Sequence, residues 1–157
     1  MKISFWSVGK SHEPYVLQGI DNFTKRIGKY YPVEWQIIAP PKNSGLLPEA
    51  ELKKKEGAIV LQLLRPDDYL CVLDERGKPF RSEGLSLFIQ QRANESVRQL
   101  VFLISGAYGL DEAVLQKAKH QWSLSQLTFP HQLVRLILAE QVYRACTILR
   151  NEKYHHE

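Results

Sequence analysis

The chain is poor in cysteine, with two in 157 residues, and it has no C-x-x-C spacing of the kind that binds metal. Cys71 and Cys146 stand in the apolar stretches YLCVL and YRACTI. The sequence therefore supports neither a disulfide framework nor a structural zinc site, and we expect no metal. Buried, reduced thiols are the predicted state of both residues.

Long apolar runs are also missing. None approaches the roughly 20 residues that a helix needs to span a bilayer, and the N-terminal MKISFWSVGK lacks the long apolar stretch and cleavage site of a secretory signal. We therefore expect a soluble, cytoplasmic protein without membrane contact. The 44% hydrophobic and 10% aromatic content excludes a disordered chain, and the length fits a single domain over residues 1–157.

The chain has no strong excess of one charge. Lys and Arg number 21 against 17 Asp and Glu, which gives a net charge of +4, and no basic tail or block is present. This balance permits an RNA or phosphate partner without requiring one. From charge alone, an ordinary solvated surface is the better interpretation.

Apolar patterns alternate between the strand type and the helix type along the chain. Short apolar runs predict strands at residues 3–8, 33–39, 69–73, 100–104 and 122–124, and helical spacing predicts helices at 16–27, 48–64, from 82, from 111 and at 130–150. Ser82 is expected to cap the third helix, and Asp111 to start the fourth. Five alternations predict an α/β fold with a mostly parallel sheet and flanking helices.

The last predicted helix is apolar around most of its circumference, from Leu133 to Leu149. A helix with one face in solvent would keep a broad polar side. Because a terminal helix in a small domain has few neighbours to cover it, we favour a homodimer interface, and two-fold contacts of this kind are common. A helix buried at the centre of the chain's own fold is the alternative.

Three predicted loops follow strands, at residues 73–77, 104–110 and 123–130. In a parallel sheet such loops meet at the edge where ligands bind. Glycines and small polar residues in two of them suit an uncharged planar or ribose-bearing ligand. No phosphate-binding G-x-x-x-x-G-K-[ST] motif is present, and GAYG is not G-x-G-x-x-G. A set of ordinary turns is the alternative.

Five segments from residue 73 onward carry a recognisable pattern. They are LDERGK at 73–78, ISGAYGL at 104–110, LSQLTFPHQLVR at 124–135, EQVYRA at 140–145 and YHH at 154–156. In this order they resemble the signature segments of the ribosomal RNA large subunit methyltransferase H family, of the SPOUT class. The resemblance runs essentially from end to end, with one departure at Ser105, where a glycine is common.

The resemblance implies a fold, a cofactor and an activity. The implied fold is an α/β sheet whose C-terminal part, roughly residues 70–157, is threaded into a trefoil knot that holds S-adenosylmethionine. The positions that match the family's cofactor contacts are Leu73, Gly106, Ser125, Gln126, Leu127, Thr128, Phe129 and Pro130. The implied activity is methylation by a homodimer at N3 of a pseudouridine in the 23S rRNA of the assembled ribosome.

By the same resemblance, the predicted catalytic residues near the methyl acceptor are Arg144, Tyr154 and His155, and His131 and Glu140 are lesser candidates. A base, or a cation that stabilises the developing anion, would assist loss of the N3 proton. We hypothesise that the C-terminal tail reaches the cofactor pocket of a partner subunit, so that each active site is composite.

Each of these assignments has a structural alternative. In the structural alternative, Arg144 only forms an ion pair with Glu140, one turn earlier on the same helix. His131 is then a surface residue in the first turn of its helix, and residues 154–157 form a frayed tail. Two rival functions also stay open. They are a SPOUT enzyme that methylates tRNA and a non-catalytic ribosome-binding module.

Two groups of cations are candidates for contact with the RNA backbone. Lys25, Arg26 and Lys29 belong to the first predicted helix, and the three lysines at residues 53–55 belong to the second. If they contact RNA, their neutralisation weakens ribosome binding and flattens its dependence on salt. A solvated face is the alternative for both groups.

Overall fold

The computed structural model of the chain describes residues 1–156, and strands alternate with helices throughout them. The strands are β1 Lys2–Val8, β2 Val33–Ile38, β3 Tyr69–Lys78, β4 Gln99–Ile104 and β5 His120–Trp122. The helices are α1 Pro14–Ile27, α2 Glu49–Leu63, α3 Ser82–Asn94, α4 Glu112–Lys117 and α5 His131–Leu149, and a short 3-10 turn covers Ser44–Leu46. The predicted α/β fold is confirmed.

All five strands pair in parallel within one sheet, in the order β2-β1-β4-β3-β5. β1, β4 and the first half of β3 are almost completely buried, because helices cover both of their faces. β2 lies at an edge, and its positions alternate between half-buried and exposed. Because the strands are parallel, their carboxyl ends meet at one edge of the sheet.

Helices cover both faces of the sheet, and each face has its own apolar core. On one face α1, α3 and α5 pack through residues such as Ile27, Ile89 and Val142. On the other face α2 and α4 pack through Val60 and Val114. The sheet is therefore the middle layer of three.

Strand β3 is longer than predicted, so the prediction of a loop at residues 73–77 is wrong. After Leu73 the strand bulges and then pairs again, with Lys78 opposite Trp122. Backbone pairing holds this second half, while its side chains are polar and mostly exposed. An apolar run therefore predicts only the first half of this strand.

Strand β5 begins earlier than predicted, and the range 122–124 is wrong for it. Its pairing with β3 starts at His120, which lies opposite Cys71. The first two residues of β5, His120 and Gln121, are half-buried and polar, and only Trp122 is buried and apolar. The residues from 123 onward therefore belong to the loop that follows β5 at the carboxyl edge of the sheet.

The starts of two helices differ in detail from the prediction. Ser82 does not cap α3, because Arg81 is the last extended residue and its carbonyl already accepts a hydrogen bond from the Leu85 amide at 3.0 Å. Asp111 stands at the N-cap position of α4, as predicted. Its side chain forms no capping hydrogen bond there.

Helix α5 contradicts the reason given for a homodimer, namely that the last helix has few neighbours in its own chain. It lies between α1 and α3 and packs against the sheet. None of its 19 residues is exposed, and Leu138 and Val142 are completely buried. Its apolar circumference is thus accounted for within one chain, and the homodimer stays a prediction.

The two cysteines are free and buried, as predicted. Burial raises the pKa of the Cys146 thiol to about 12 and also raises the pKa of Cys71, so both thiols are neutral at pH 7. Within residues 1–156, no three His, Cys, Asp or Glu side chains group as a metal site would require. No helix in the same range is long and apolar enough to cross a membrane.

Candidate cofactor and active site

Two adjoining cavities open at the edge of the sheet where β4 ends and β3 bulges. The first, of about 340 Å³, lies between these parts of the two strands, the loop 123–130 and the start of α5. We call it the cofactor cavity. The second, of about 610 Å³, lies toward α2 and includes Lys53 and Tyr108 in its wall. Volumes of this size are typical of small-ligand sites, and both lie where the strand pattern predicts one.

Five of the eight predicted cofactor residues line the cofactor cavity, namely Leu73, Gly106, Ser125, Leu127 and Phe129. The other three, Gln126, Thr128 and Pro130, belong to the same loop, are exposed and do not line this cavity. The structure therefore brings together residues from three separate segments of the chain.

Local hydrogen bonds shape the loop that follows β5. The Ser125 hydroxyl accepts a hydrogen bond from the Leu127 amide at 3.0 Å, and the Ser123 hydroxyl donates to the Ser125 carbonyl at 3.3 Å. Short polar side chains stabilise tight turns in this way. The turn leaves Leu127 72% exposed at the rim of the cavity.

His131 joins the start of α5 to the loop after β4. Its Nε2 lies 2.9 Å from the Ser105 carbonyl and must donate to it. Burial, together with the charge of Arg135, lowers the pKa of His131, so the imidazole is neutral at pH 7. His131 also lines the cofactor cavity. It is therefore part of the cavity wall and does more than decorate a first turn.

Arg135 has a role that the sequence pattern did not predict. It is completely buried, its Nε donates to the Ser7 hydroxyl at 2.9 Å, and its Nη1 lies 3.2 Å from the His12 Nδ1. Its Nη2 has no hydrogen-bond partner among the described residues. These contacts tie α5 to the end of β1. The available signal was a charged residue between two apolar stretches of a helix.

Glu56 is a second residue that was missed. It lies on α2, is only 7% exposed, and points its carboxyl group at Gly106. A Cβ atom at position 106 would lie 2.7 and 2.8 Å from the two carboxyl oxygens. Burial raises the pKa of Glu56. A side chain at position 106 would therefore require the buried carboxyl group of Glu56 to move.

We expect Gly106→Ala to lower the free energy of unfolding by about 1–3 kcal/mol, because the added methyl group overlaps a buried carboxyl group. Glu56→Ala in the same chain should recover part of this loss, and urea unfolding of the double-mutant cycle measures the coupling. Gly45→Ala is the control, since no atom lies within 4 Å of its added Cβ. If Gly106→Ala lowers the free energy of unfolding equally with and without Glu56, overlap with the Glu56 carboxyl group is not the cause.

The predicted catalytic residues meet in one cluster, formed by the C-terminal half of α5 and the tail that follows it. Arg144 lies with its Nη1 3.2 Å from the His155 Nδ1 and its guanidinium group 4.8 Å from the centre of the Tyr154 ring. It also pairs with Glu140, as the structural alternative holds. The Tyr154 hydroxyl donates to the same carboxylate at 3.0 Å. We call these four residues the acceptor cluster.

The C-terminal tail packs against its own chain and is not frayed up to His155. Tyr154 and His155 are half-buried, and the Tyr154 ring packs edge-on against Tyr143 at 4.7 Å. His155 Nε2 lies 3.2 Å from a carboxylate oxygen of Glu83 on α3. His156 is exposed, and Glu157 lies outside the described residues.

The acceptor cluster does not reach the cofactor cavity of the same chain. The cavity involves the first turn of α5, up to Val134. Arg144 follows ten residues later on the same helix, which corresponds to about 15 Å along its axis. The structure therefore assembles the two predicted halves of the site separately.

Comparison with known proteins identifies the class. The family model described as "Predicted SPOUT methyltransferase" matches residues 1–155. A Parabacteroides distasonis protein named "Ribosomal RNA large subunit methyltransferase H" is 44% identical over 157 residues, 100% of both chains. Proteins of the same name are 42% identical over 156 residues in Cytophaga hutchinsonii (99% of this chain, 100% of the relative) and 44% over 157 residues in Flavobacterium johnsoniae (100% of both).

The chain therefore belongs to the SPOUT methyltransferase family, as its signature segments predict. Within this class, its full-length relatives are the ribosomal RNA large subunit methyltransferase H proteins. Membership of the family is consistent with the trefoil knot that the resemblance implies.

Proposed function

We propose that the protein is an S-adenosylmethionine-dependent methyltransferase that modifies N3 of a pseudouridine in the 23S rRNA of assembled ribosomes. The names of its relatives support the rRNA substrate. The single observation that carries the cofactor part is the meeting of five predicted cofactor residues in one cavity. The proposed enzyme is one domain over residues 1–157, and it is cytoplasmic because its substrate is the assembled ribosome.

The lining of the cofactor cavity fits S-adenosylmethionine. Leu73, Phe129 and Val134 provide apolar surface for a flat ring, while Gly106 and Ser125 offer backbone and hydroxyl groups to polar atoms. When bound, the cofactor supplies an electrophilic methyl group. The task of the chain is then to hold donor and acceptor in line.

The acceptor cluster is proposed to receive the pseudouridine. Loss of the N3 proton leaves negative charge on the ring, which the guanidinium group of Arg144 stabilises. Burial and the hydrogen bond to Glu140 raise the pKa of Tyr154, so its phenol stays protonated and acts as a donor. His155 has Glu83 at its Nε2 and accepts a hydrogen bond from the Arg144 Nη1 at its Nδ1, so it positions the guanidinium group and can take up the N3 proton only once that contact opens.

The composite active site requires a homodimer in this proposal. Within one chain, the helix places the acceptor cluster about 15 Å away from the cofactor cavity. A two-fold related partner with α5 in the opposite direction brings its cluster to this cavity. Each active site then combines the cavity of one protomer with the acceptor cluster of the other.

The substrate is tested by mapping methylated nucleosides. Purified protein and labelled cofactor are incubated with ribosomes, free 23S rRNA or tRNA, and 23S rRNA from cells with and without the gene is compared. We expect one N3-methylpseudouridine, formed on ribosomes and dependent on the gene. Methylation of a tRNA ribose instead would establish the rival SPOUT activity.

Cofactor binding is tested by calorimetric titration with S-adenosylmethionine, in the presence and absence of ribosomes. We expect saturable binding that Gly106→Val abolishes, because the larger side chain collides with Glu56 and disturbs the cavity wall. Absence of binding under both conditions would favour the non-catalytic ribosome-binding module.

A further inference from the structure

A third cavity lies where α1 and α5 end, away from the cofactor cavity. It has a volume of about 410 Å³ and is lined by Arg26, Lys29, Tyr30, Tyr143, Arg150 and Glu152. We call it the basic cavity. Neither the family resemblance nor the proposed chemistry uses these residues.

The basic cavity carries uncompensated positive charge. Three cations line it against one carboxylate, and Arg26, Lys29 and Arg150 are all exposed. Within residues 1–156, none of these three cations forms an ion pair. Such a concentration of cations attracts anions such as nucleic-acid phosphates.

Aromatic rings hold two of the cations in place. The Arg26 guanidinium lies 5.5 Å from the centre of the Tyr143 ring, and that of Arg150 lies 5.9 Å from the Tyr30 ring. Cation–π contacts of this kind restrict a flexible side chain. The Nε of Arg26 also donates to the Asn22 Oδ1 at 3.2 Å, which leaves its two Nη groups for an anion. The two guanidinium groups are therefore partly preorganised for an anion.

The one carboxylate in the wall is already engaged. Tyr30 donates its hydroxyl hydrogen to Glu152 at 2.7 Å. Burial and this hydrogen bond raise the pKa of Tyr30, so the phenol stays protonated at neutral pH. The negative charge of Glu152 is shared with this donor, although it still opposes an incoming phosphate.

The basic cavity adjoins the acceptor cluster. The ring of Tyr143 contacts both of them: the Arg26 guanidinium lies 5.5 Å from its centre, and the Tyr154 ring of the acceptor cluster lies 4.7 Å from it. A nucleotide held at Arg144 therefore has its neighbours in the strand within reach of the basic cavity. The distance between successive phosphates of a nucleic acid is only a few ångströms, about the length of one long side chain.

We infer that the basic cavity binds the phosphate backbone of the RNA segment next to the nucleotide that is methylated. This inference rests on the proposed function and adds a contact surface to it. It also favours one of the two groups of cations that the sequence predicts as RNA contacts. Arg26 and Lys29 lie on the same face of the sheet as the acceptor cluster, whereas residues 53–55 belong to α2 on the opposite face.

The test compares two double variants that remove the same charge from opposite faces. Arg26→Gln with Lys29→Gln should lower the slope of log K against log salt for ribosome binding by about 1.5, since each phosphate contact contributes about 0.7 to 0.9. Binding should weaken by roughly tenfold. Lys54→Gln with Lys55→Gln, on exposed residues of α2, should leave the slope unchanged.

A third variant has the opposite expected sign. Glu152→Gln removes the one acidic group of the basic cavity and should tighten ribosome binding while thermal unfolding shows the fold intact. An unchanged slope in the first double variant, or equal decreases in both, would overturn the inference. Failure of the proposed function is distinguishable, because the unaltered protein then transfers no methyl group to ribosomes.

Discussion

Mixing two inactive variants, Gly106→Val and Arg144→Gln, should restore methyl transfer to about one quarter of the normal rate if each active site is shared between two protomers. Each variant alone is expected to be inactive, since one loses the cofactor cavity and the other the cation of the acceptor cluster. Random exchange makes half of the dimers mixed, and each mixed dimer has one intact site. Transfer to ribosomes, measured after exchange, tests the expectation.

The matched control mixes two variants that damage the same half of the site. Arg144→Gln and His155→Ala both alter the acceptor cluster, so every site in their mixed dimer lacks one intact group. No activity should return. If subunits exchange, as mass spectrometry of the intact dimers can verify, and the first pair also stays inactive, the composite site is wrong. The acceptor then binds elsewhere.

Gly77→Ala should destabilise the protein by at least about 3 kcal/mol, at the upper end for an overpacked site. A Cβ at this position would lie 2.5 Å from the carbonyl carbon and oxygen of Gln121 and 2.8 Å from the amide nitrogen of Trp122. These are backbone atoms of the neighbouring strand, so no side chain can move aside. The second half of β3 must then separate from β5.

Urea unfolding measures this loss, and Gly84→Ala is the control. Gly84 lies in α3, and its added Cβ would meet only the Phe80 ring at 3.7 Å, an ordinary contact. Alanine is the better helix former, so this variant should be as stable as the unaltered protein or slightly more stable. Unfolding of Gly77→Ala at the same urea concentration as the control would contradict the close approach of β3 and β5 at this position.

The order of strands and helices could be predicted because local patterns carry it. β4 is apolar from Leu100 onward, β1 is apolar and aromatic apart from Lys2 and two serines, and the helices of the α5 face have apolar residues at helical spacing. The second half of β3 could not be predicted, because its polar side chains resemble a turn and only pairing with β5 reveals a strand. The neighbours of α5 depend on the order of strands in the sheet, which no local pattern determines.

The site could be predicted where its residues form contiguous segments. Gly106 and Phe129 belong to loops that directly follow strands, and these loops also carry the signature of the family. Glu56 and Arg135 contribute isolated side chains from helices. A single charged residue in a helix has the same local pattern whether it is solvated or buried. Their roles require knowledge of what covers each helix.

The pairing of β5 with β3 has a consequence for how the chain folds. β5 has β3 as its sequence-distant partner, about 50 residues earlier, and it has no other neighbour in the sheet that residues 1–156 form. The central pair β1–β4 closes a longer loop, from Lys2 to Gln99, but it gains six residue pairs in return, whereas β5 is only three residues long and gains few contacts by docking. We therefore expect the outer strand and the loop behind it to assemble after the central strands, so that the ability to bind a ligand is acquired last.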